Sequence, residues 1–192
     1  MELKDKKIGF AMCGSFCTFK KALIAMQALV DRGAEVIPIM SETSYTTDTR
    51  FGEAKFFQDE VTTLTGKEII KSVKEAEPIG PKEMLDLLIV LPCTGNSLAK
   101  IANGIADTSV TMAVKAHLRN QRPLLIAVST NDGLGAAAKN IGNLLNSKNI
   151  YFVPLSQDDC IKKPTSLVAD YEKVIPAAIA ALNNTQLQPV LY

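Results

Sequence analysis

Runs of apolar residues alternate with amphipathic stretches along the chain, and the two patterns predict strands and helices in turn. Leu87-Leu88-Ile89-Val90-Leu91 places five apolar residues in a row, the signature of a strand buried on both faces of a parallel sheet. Leu124-Leu125-Ile126-Ala127-Val128 repeats it. Lys7-Ile8-Gly9-Phe10-Ala11-Met12, Glu35-Val36-Ile37-Pro38-Ile39-Met40 and Tyr151-Phe152-Val153-Pro154-Leu155 read as further strands. Between the first two, Leu23, Met26, Ala28, Leu29 and Val30 mark an amphipathic helix from Phe19 to Arg32, with Gly33 placed to cap it. Leu98, Ile101, Ala102 and Ile105 recur at helical spacing in a helix that ends near Asn103-Gly104. Helices are also predicted over Val110 to Asn120, Ala136 to Asn146 and Val174 to Leu182.

The stretch from Tyr45 to Glu77 is the least regular. Phe51, Phe56, Phe57, Val61 and Leu64 suit one or two short helices, Thr65 to Glu75 reads as another, and Glu77-Pro78-Ile79-Gly80-Pro81 breaks the pattern. Long connections of this kind often serve as lids, binding loops or oligomer contacts. The alternation as a whole predicts an α/β fold. Its form is a doubly wound, Rossmann-like or flavodoxin-like parallel sheet with helices on both faces, a single three-layer domain over residues 1–192.

Small polar residues gather where the predicted strands stop. Gly14-Ser15 follows the first, Ser41-Glu42-Thr43 the second, Thr94-Gly95-Asn96-Ser97 the third and Ser129-Thr130-Asn131-Asp132-Gly133 the fourth. Pro92 has no N–H and is expected to end its ladder, and Ser97 or Asn96 is expected to cap the helix that follows. A helix that starts where a strand stops presents free N–H groups and the positive end of its dipole, which suits an anion such as phosphate. Each cluster alone reads equally well as an ordinary βα turn. Several on one edge favour a binding crevice, because ligands of open α/β sheets sit at the strand carboxyl ends. The Gly-x-Gly-x-x-Gly dinucleotide fingerprint is absent.

Composition narrows the partners. The 192 residues are 47% hydrophobic and 21% charged, with a net charge of +1, so neither nucleic acid nor an anionic membrane is expected as a partner. The N-terminal residues run straight into a strand pattern with no signal-peptide core, which points to a cytoplasmic protein. Cys13, Cys17, Cys93 and Cys160, with His117 as the sole histidine, do not match zinc-ligand spacing, and no metal is expected. Reduced, mostly buried thiols are the expectation, Cys93 included despite its place before a helix. His117 is expected to be solvated near a helix C-terminus rather than catalytic.

The segment Pro92 to Asp107 resembles the phosphate-binding segment of the homo-oligomeric flavin-containing cysteine decarboxylases, and is as similar to that of the flavin prenyltransferases of the same superfamily. There it reads Pro-Ala-Ser-Ala-Asn-Thr before a leucine- and alanine-rich helix. Gly14-Ser15-Phe16-Cys17 resembles the family's first FMN loop. Ser41 falls where the second strand's hydroxyl meets the cofactor, and Asn131 on the asparagine of the Pro-x-Met-Asn segment. The resemblance implies FMN at a subunit interface of a homo-oligomer, commonly a trimer or an assembly of trimers. It carries the cofactor-binding role to Gly14, Ser15, Phe16, Cys17, Ser41, Pro92, Thr94, Asn96, Ser97 and Asn131.

Departures from the family narrow the chemistry. Its catalytic His-Ile pair is replaced by Pro78-Ile79, and a proline cannot transfer a proton. The substrate segment reads Val128-Ser129-Thr130-Asn131 without the family's methionine and proline, and the prenyltransferases' Arg–Glu pair is absent. Gln157-Asp158-Asp159 and Lys163-Pro164-Thr165-Ser166-Leu167-Val168 extend the similarity to a branch of the family that works with a separate partner chain. That branch implies oxidation of a small dihydropyridine dicarboxylate, with FMN on this chain or NAD(P) on the partner. Arg50, Lys82, Lys100, Arg119 and Arg122 are candidates to grip the two carboxylates, and no residue stands out as a base.

Overall fold

A computed structural model describes residues 3–192. The strands are β1 (Lys7–Met12), β2 (Glu35–Met40), β3 (Leu87–Cys93), β4 (Leu124–Thr130), β5 (Ile150–Phe152), β6 (Leu155–Asp159) and β7 (Lys163–Ala169). The helices are α1 (Phe19–Val30), α2 (Glu42–Thr46), α3 (Ala54–Thr65), α4 (Val73–Ala76), α5 (Gly95–Ala102), α6 (Ser109–Leu118), α7 (Ala138–Leu145) and α8 (Val174–Leu182).

The apolar run at 87–91 becomes the centre of the sheet. Every residue of β3 is buried, as its lack of a polar face requires. β1 lies parallel on one side, pairing Ile8 with Leu87, and β4 lies parallel on the other, pairing Leu88 with Leu124. β2 extends the sheet beyond β1, again parallel. One layer sets α1 against α3 and α8, and the other sets α5 against α6 and α7. The doubly wound architecture expected from the sequence is therefore present.

The far edge differs from that expectation. β4 pairs with β5 in parallel through Leu124–Ile126, and then its last residues, Ser129 and Thr130, pair antiparallel with Val168 and Leu167 of β7. β6 and β7 form an antiparallel hairpin that turns around Cys160–Lys162. Two strands thus stand where the pattern predicted none, because Gln157, Asp158 and Lys163 to Thr165 are exposed and give no apolar run.

Three local expectations also change. The helix over Thr65 to Glu75 is not formed: Thr65 ends α3, Gly66 turns left-handed at φ 64°, and the next helix is the single turn α4. Pro92 does not end its strand. β3 runs on to Cys93 with a register shift between Val90 and Cys93, which accommodates the missing donor. His117 is not solvated: it is 1% exposed, and its Nε2–H donates to the Pro123 carbonyl at 2.8 Å, tying the end of α6 to the start of β4.

Burial pushes the His117 imidazole down to about 4, against the opposing pull of the Pro123 carbonyl. The unfolded chain, with an ordinary histidine near pH 6.5, therefore takes up the proton first as the pH falls. The neutral histidine's contribution is complete above about pH 6.5 and is lost toward about pH 4, to the extent of up to about 3 kcal/mol. Urea denaturation at pH 7 and at acid pH checks this, with H117Q losing less stability than the wild type across that window. Equal losses in the two proteins would contradict it.

Candidate functional site

The chain leaves β1 through a tight turn into the 3-10 turn Phe16–Thr18 and then α1. The Ser15 carbonyl accepts from Thr18 N at 3.0 Å and from Thr18 Oγ1 at 2.7 Å, which fixes the turn. The Ser15 hydroxyl is left to reach across the sheet edge to Ser129 Oγ at 2.8 Å. This bond joins the loop after β1 to the end of β4, which lies two strands away in the sheet order. The N–H groups of Phe16 and Cys17 have no protein acceptor among the described residues.

At the end of β3 the Pro92 carbonyl accepts from Cys13 N at 3.2 Å, so the first and third strand ends are stitched together. Thr94, with extended φ −74° and ψ 158°, is the cap of α5, and its Oγ1 accepts from Ser97 N at 3.2 Å. The cap is thus neither Ser97 nor Asn96. Thr94 Oγ1 also donates to Ser97 Oγ at 3.2 Å, while Asn96 is exposed. The Gly95 and Asn96 N–H groups, the first of α5, have no protein acceptor among the described residues. Gly95 has a packing reason. A Cβ there would lie 2.6 Å from Thr130 Oγ1 and 2.9 Å from Asp132 Oδ1, so the loop after β4 rests directly on the start of α5.

Ser41 is buried and caps α2, accepting from Ser44 N at 3.2 Å and donating to Ser44 Oγ at 3.0 Å. Ser44 Oγ in turn donates to the Met12 carbonyl at 2.9 Å. The hydroxyls of Ser41 and Thr94 thus hold their own loops in place. Asn131 is exposed, with its carbonyl accepting from Thr165 Oγ1 of the hairpin at 2.7 Å.

A cleft of about 920 Å³ opens beside these loops, bounded by α1, the end of β4, the hairpin and the segment around Tyr171. Of the residues singled out from the sequence, Ser15, Cys17 and Asn131 line it; Gly14 and Phe16 shape the turn at its mouth, and Ser41, Pro92, Thr94, Asn96 and Ser97 stand outside its walls. Thr18, Lys21, Ser129 and Tyr171 also line it. Lys21 and Tyr171 carry no sequence signal, since a lysine on a helix's polar face and a tyrosine before a helix are ordinary surface residues.

The cations suggested by the sequence are occupied elsewhere or lie away from the cleft. Arg122 donates to the Glu83 and Leu85 carbonyls and pairs with Glu83 Oε2 at 2.9 Å, and Lys100 pairs with Asp107 at 2.9 Å. Arg50 stacks on Phe51, with 4.9 Å to the ring centroid. Pro78 sits in the 3-10 turn Glu77–Ile79, packed against α6. The thiols divide evenly: Cys13 and Cys93 are buried, Cys17 and Cys160 exposed. Burial pushes the Cys13 thiol up to about 11, partly offset by the Ser97 hydroxyl, and pushes Cys93 up as well, so neither is a poised nucleophile.

Hydroxyls, free N–H groups and a cleft stand together at the carboxyl edge of a doubly wound sheet, the edge at which open α/β proteins bind ligands. The chain belongs to the Flavoprotein family, whose model matches residues 1–181. Within it, the chain is a homologue of the B subunit of dipicolinate synthase. It is 44% identical to that protein from Bacillus subtilis over 98% of this chain and 94% of the relative. The crystal structure of the dipicolinate synthase B subunit from Bacillus halodurans superposes with a TM-score of 0.92 at 44% identity, covering 100% of this chain and 98% of the other. The FMN-dependent cysteine decarboxylase SpaF shares the fold, with a TM-score of 0.67 at 21% identity over 95% of this chain and 99% of the other. No helix among the described residues is long and apolar enough to cross a membrane.

If Thr94 acts chiefly as a cap, T94A costs about 1 kcal/mol of stability in urea denaturation, while N96A stays within about 0.5 kcal/mol of the wild type. A T94A variant as stable as the wild type would remove the capping role.

Proposed function

We propose that this chain holds FMN at the carboxyl edge of its sheet and acts with the A subunit of dipicolinate synthase to oxidise dihydrodipicolinate to dipicolinate. The setting is the cytoplasm of the mother cell of a sporulating bacterium. The observation that carries the reading is 44% identity to a dipicolinate synthase B subunit over nearly the full length of both chains. The site's chemistry supports it. The unpaired N–H groups of Phe16, Cys17, Gly95 and Asn96 fit a phosphate, and the positive end of α5 adds to them.

Bound FMN supplies a ring that accepts a hydride. The chain's own part is to place and enclose. The N–H groups hold the phosphate, and Gly14 and Pro92 shape the two turns that aim them. Thr94 and Ser97 brace the turn after Pro92 through their capping bonds, and Ser41 braces the neighbouring loop after β2. The Ser15–Ser129 hydroxyl pair and Asn131 stand at the mouth of the cleft to orient the reacting ring, while the hairpin walls one side against water. The family likeness also favours a homo-oligomer such as a trimer, and Phe56 and Ile161 offer exposed apolar surface for it.

A second reading makes the chain a flavin-binding or scaffold subunit without redox chemistry of its own, with NAD(P) on the partner chain performing the oxidation. Pro78, standing where the decarboxylases carry their histidine, favours it and weighs against decarboxylase turnover, while the absent Arg–Glu pair weighs against prenyltransferase turnover.

Flavin absorbance of the purified chain, and dipicolinate formation with each of the two chains singly and with both, separate the readings. Co-eluting FMN, and product that requires both chains, are the expected results. A chain that binds no flavin, beside a partner that is fully active without it, would overturn the proposal. S15A is expected to weaken FMN binding by about threefold to tenfold, the worth of one hydrogen bond of about 0.5–1.5 kcal/mol.

A further inference from the structure

Three cations line the cleft, Lys21, Arg32 and Lys163. Lys163 Nζ pairs with Asp158 Oδ2 at 2.5 Å, and Arg32 Nη1 donates to the Ala28 carbonyl at 2.9 Å. Lys21 has no carboxylate partner among the described residues. Its Nζ stands over the ring of Tyr171, 5.9 Å from the centroid.

Tyr171 is itself unfinished. Its hydroxyl is buried and makes no hydrogen bond among the described residues. The Thr18 hydroxyl lies beside it, outside hydrogen-bonding geometry, and gives its own proton to the Ser15 carbonyl. Burial pushes the tyrosine up to about 12, so its hydroxyl remains a proton donor throughout the neutral range. A buried donor without an acceptor is unfavourable, which makes this end of the cleft receptive to one. The acids nearby do not meet the need: Asp158 is paired with Lys163, Asp170 Oδ1 accepts from Glu172 N at 3.0 Å, and Glu172 is exposed. Ile24, which is 72% exposed, adds an apolar flank on the same side of α1.

We propose that Lys21 and Tyr171 form the carboxylate-binding end of the cleft, gripping one carboxylate of a small planar dicarboxylic acid whose ring extends toward Ser15 and Ser129. Lys21 supplies the charge. Tyr171 supplies a ring beneath the ammonium and a hydroxyl that gains its acceptor when the ligand seats. The class of ligand rests on the proposed function; the cation and the orphaned hydroxyl do not.

The test is calorimetric titration of the full chain with pyridine-2,6-dicarboxylate, comparing wild type, K21M, Y171F and K20M, with FMN binding measured in parallel. Loss of the charge in K21M is expected to weaken binding about tenfold or more, and Y171F about threefold or more. K20M, altered one residue away and outside the cleft, binds as the wild type does, and all four proteins bind FMN alike. A wild type that does not bind the probe, or a K21M or Y171F variant that binds it as tightly as the wild type, would overturn the assignment. Lys21-dependent binding in a chain that supports no oxidation with its partner upholds the carboxylate end while removing the proposed function. Product formation with an unchanged KM in K21M does the reverse.

Discussion

The structure depends on the burial of β3 on both faces. Seven consecutive buried residues leave this strand no polar side, so β1 and β4 must flank it and helical layers must cover it above and below. Parallel flanking strands then bring their carboxyl ends to one edge of the sheet. There the loops that leave β1, β2, β3 and β4 bring their small polar residues. That edge is therefore a consequence of the core.

Much of the polar chemistry at that edge maintains its shape. Thr94 and Ser41 satisfy helix N–H groups, the Pro92 carbonyl takes the Cys13 N–H, and Thr130 Oγ1 bonds to Asp132 Oδ1 at 2.5 Å against Gly95. Among the described residues this scaffold leaves a smaller set without protein partners, the N–H groups of Phe16, Cys17, Gly95 and Asn96, beside the Ser15–Ser129 pair, whose hydroxyls bond to each other. A hydroxyl held in a cap is a poorer ligand donor than an N–H with no partner at all. That difference shifts the weight of the site from side chains to backbone.

The five parallel strands and the helices α1, α6 and α8 were legible in the sequence because long apolar runs and helical periodicity leave few alternatives. Neither signal exists for the hairpin, where β6 carries Gln157 and Asp158 in the open. The residues after Thr65 failed for another reason. They are compatible with a helix, but Gly66 adopts a left-handed conformation that ends α3. At the site, the loops were readable from their small polar residues and from family resemblance, though the cap at Thr94 needed backbone angles to assign. Lys21 and Tyr171 were invisible, since only the fold brings residues from the first helix and the last loop to one cleft.

Under the proposed function, the carboxyl edge holds a flavin phosphate through backbone donors. This is tested most directly by a crystal structure of the chain grown with FMN. Phosphate density is expected within hydrogen-bond distance of the free N–H groups at Phe16–Cys17 or Gly95–Asn96, with the isoalloxazine ring reaching the Ser15–Ser129 pair. Flavin bound elsewhere, or those N–H groups covered by the chain's own side chains, would contradict it.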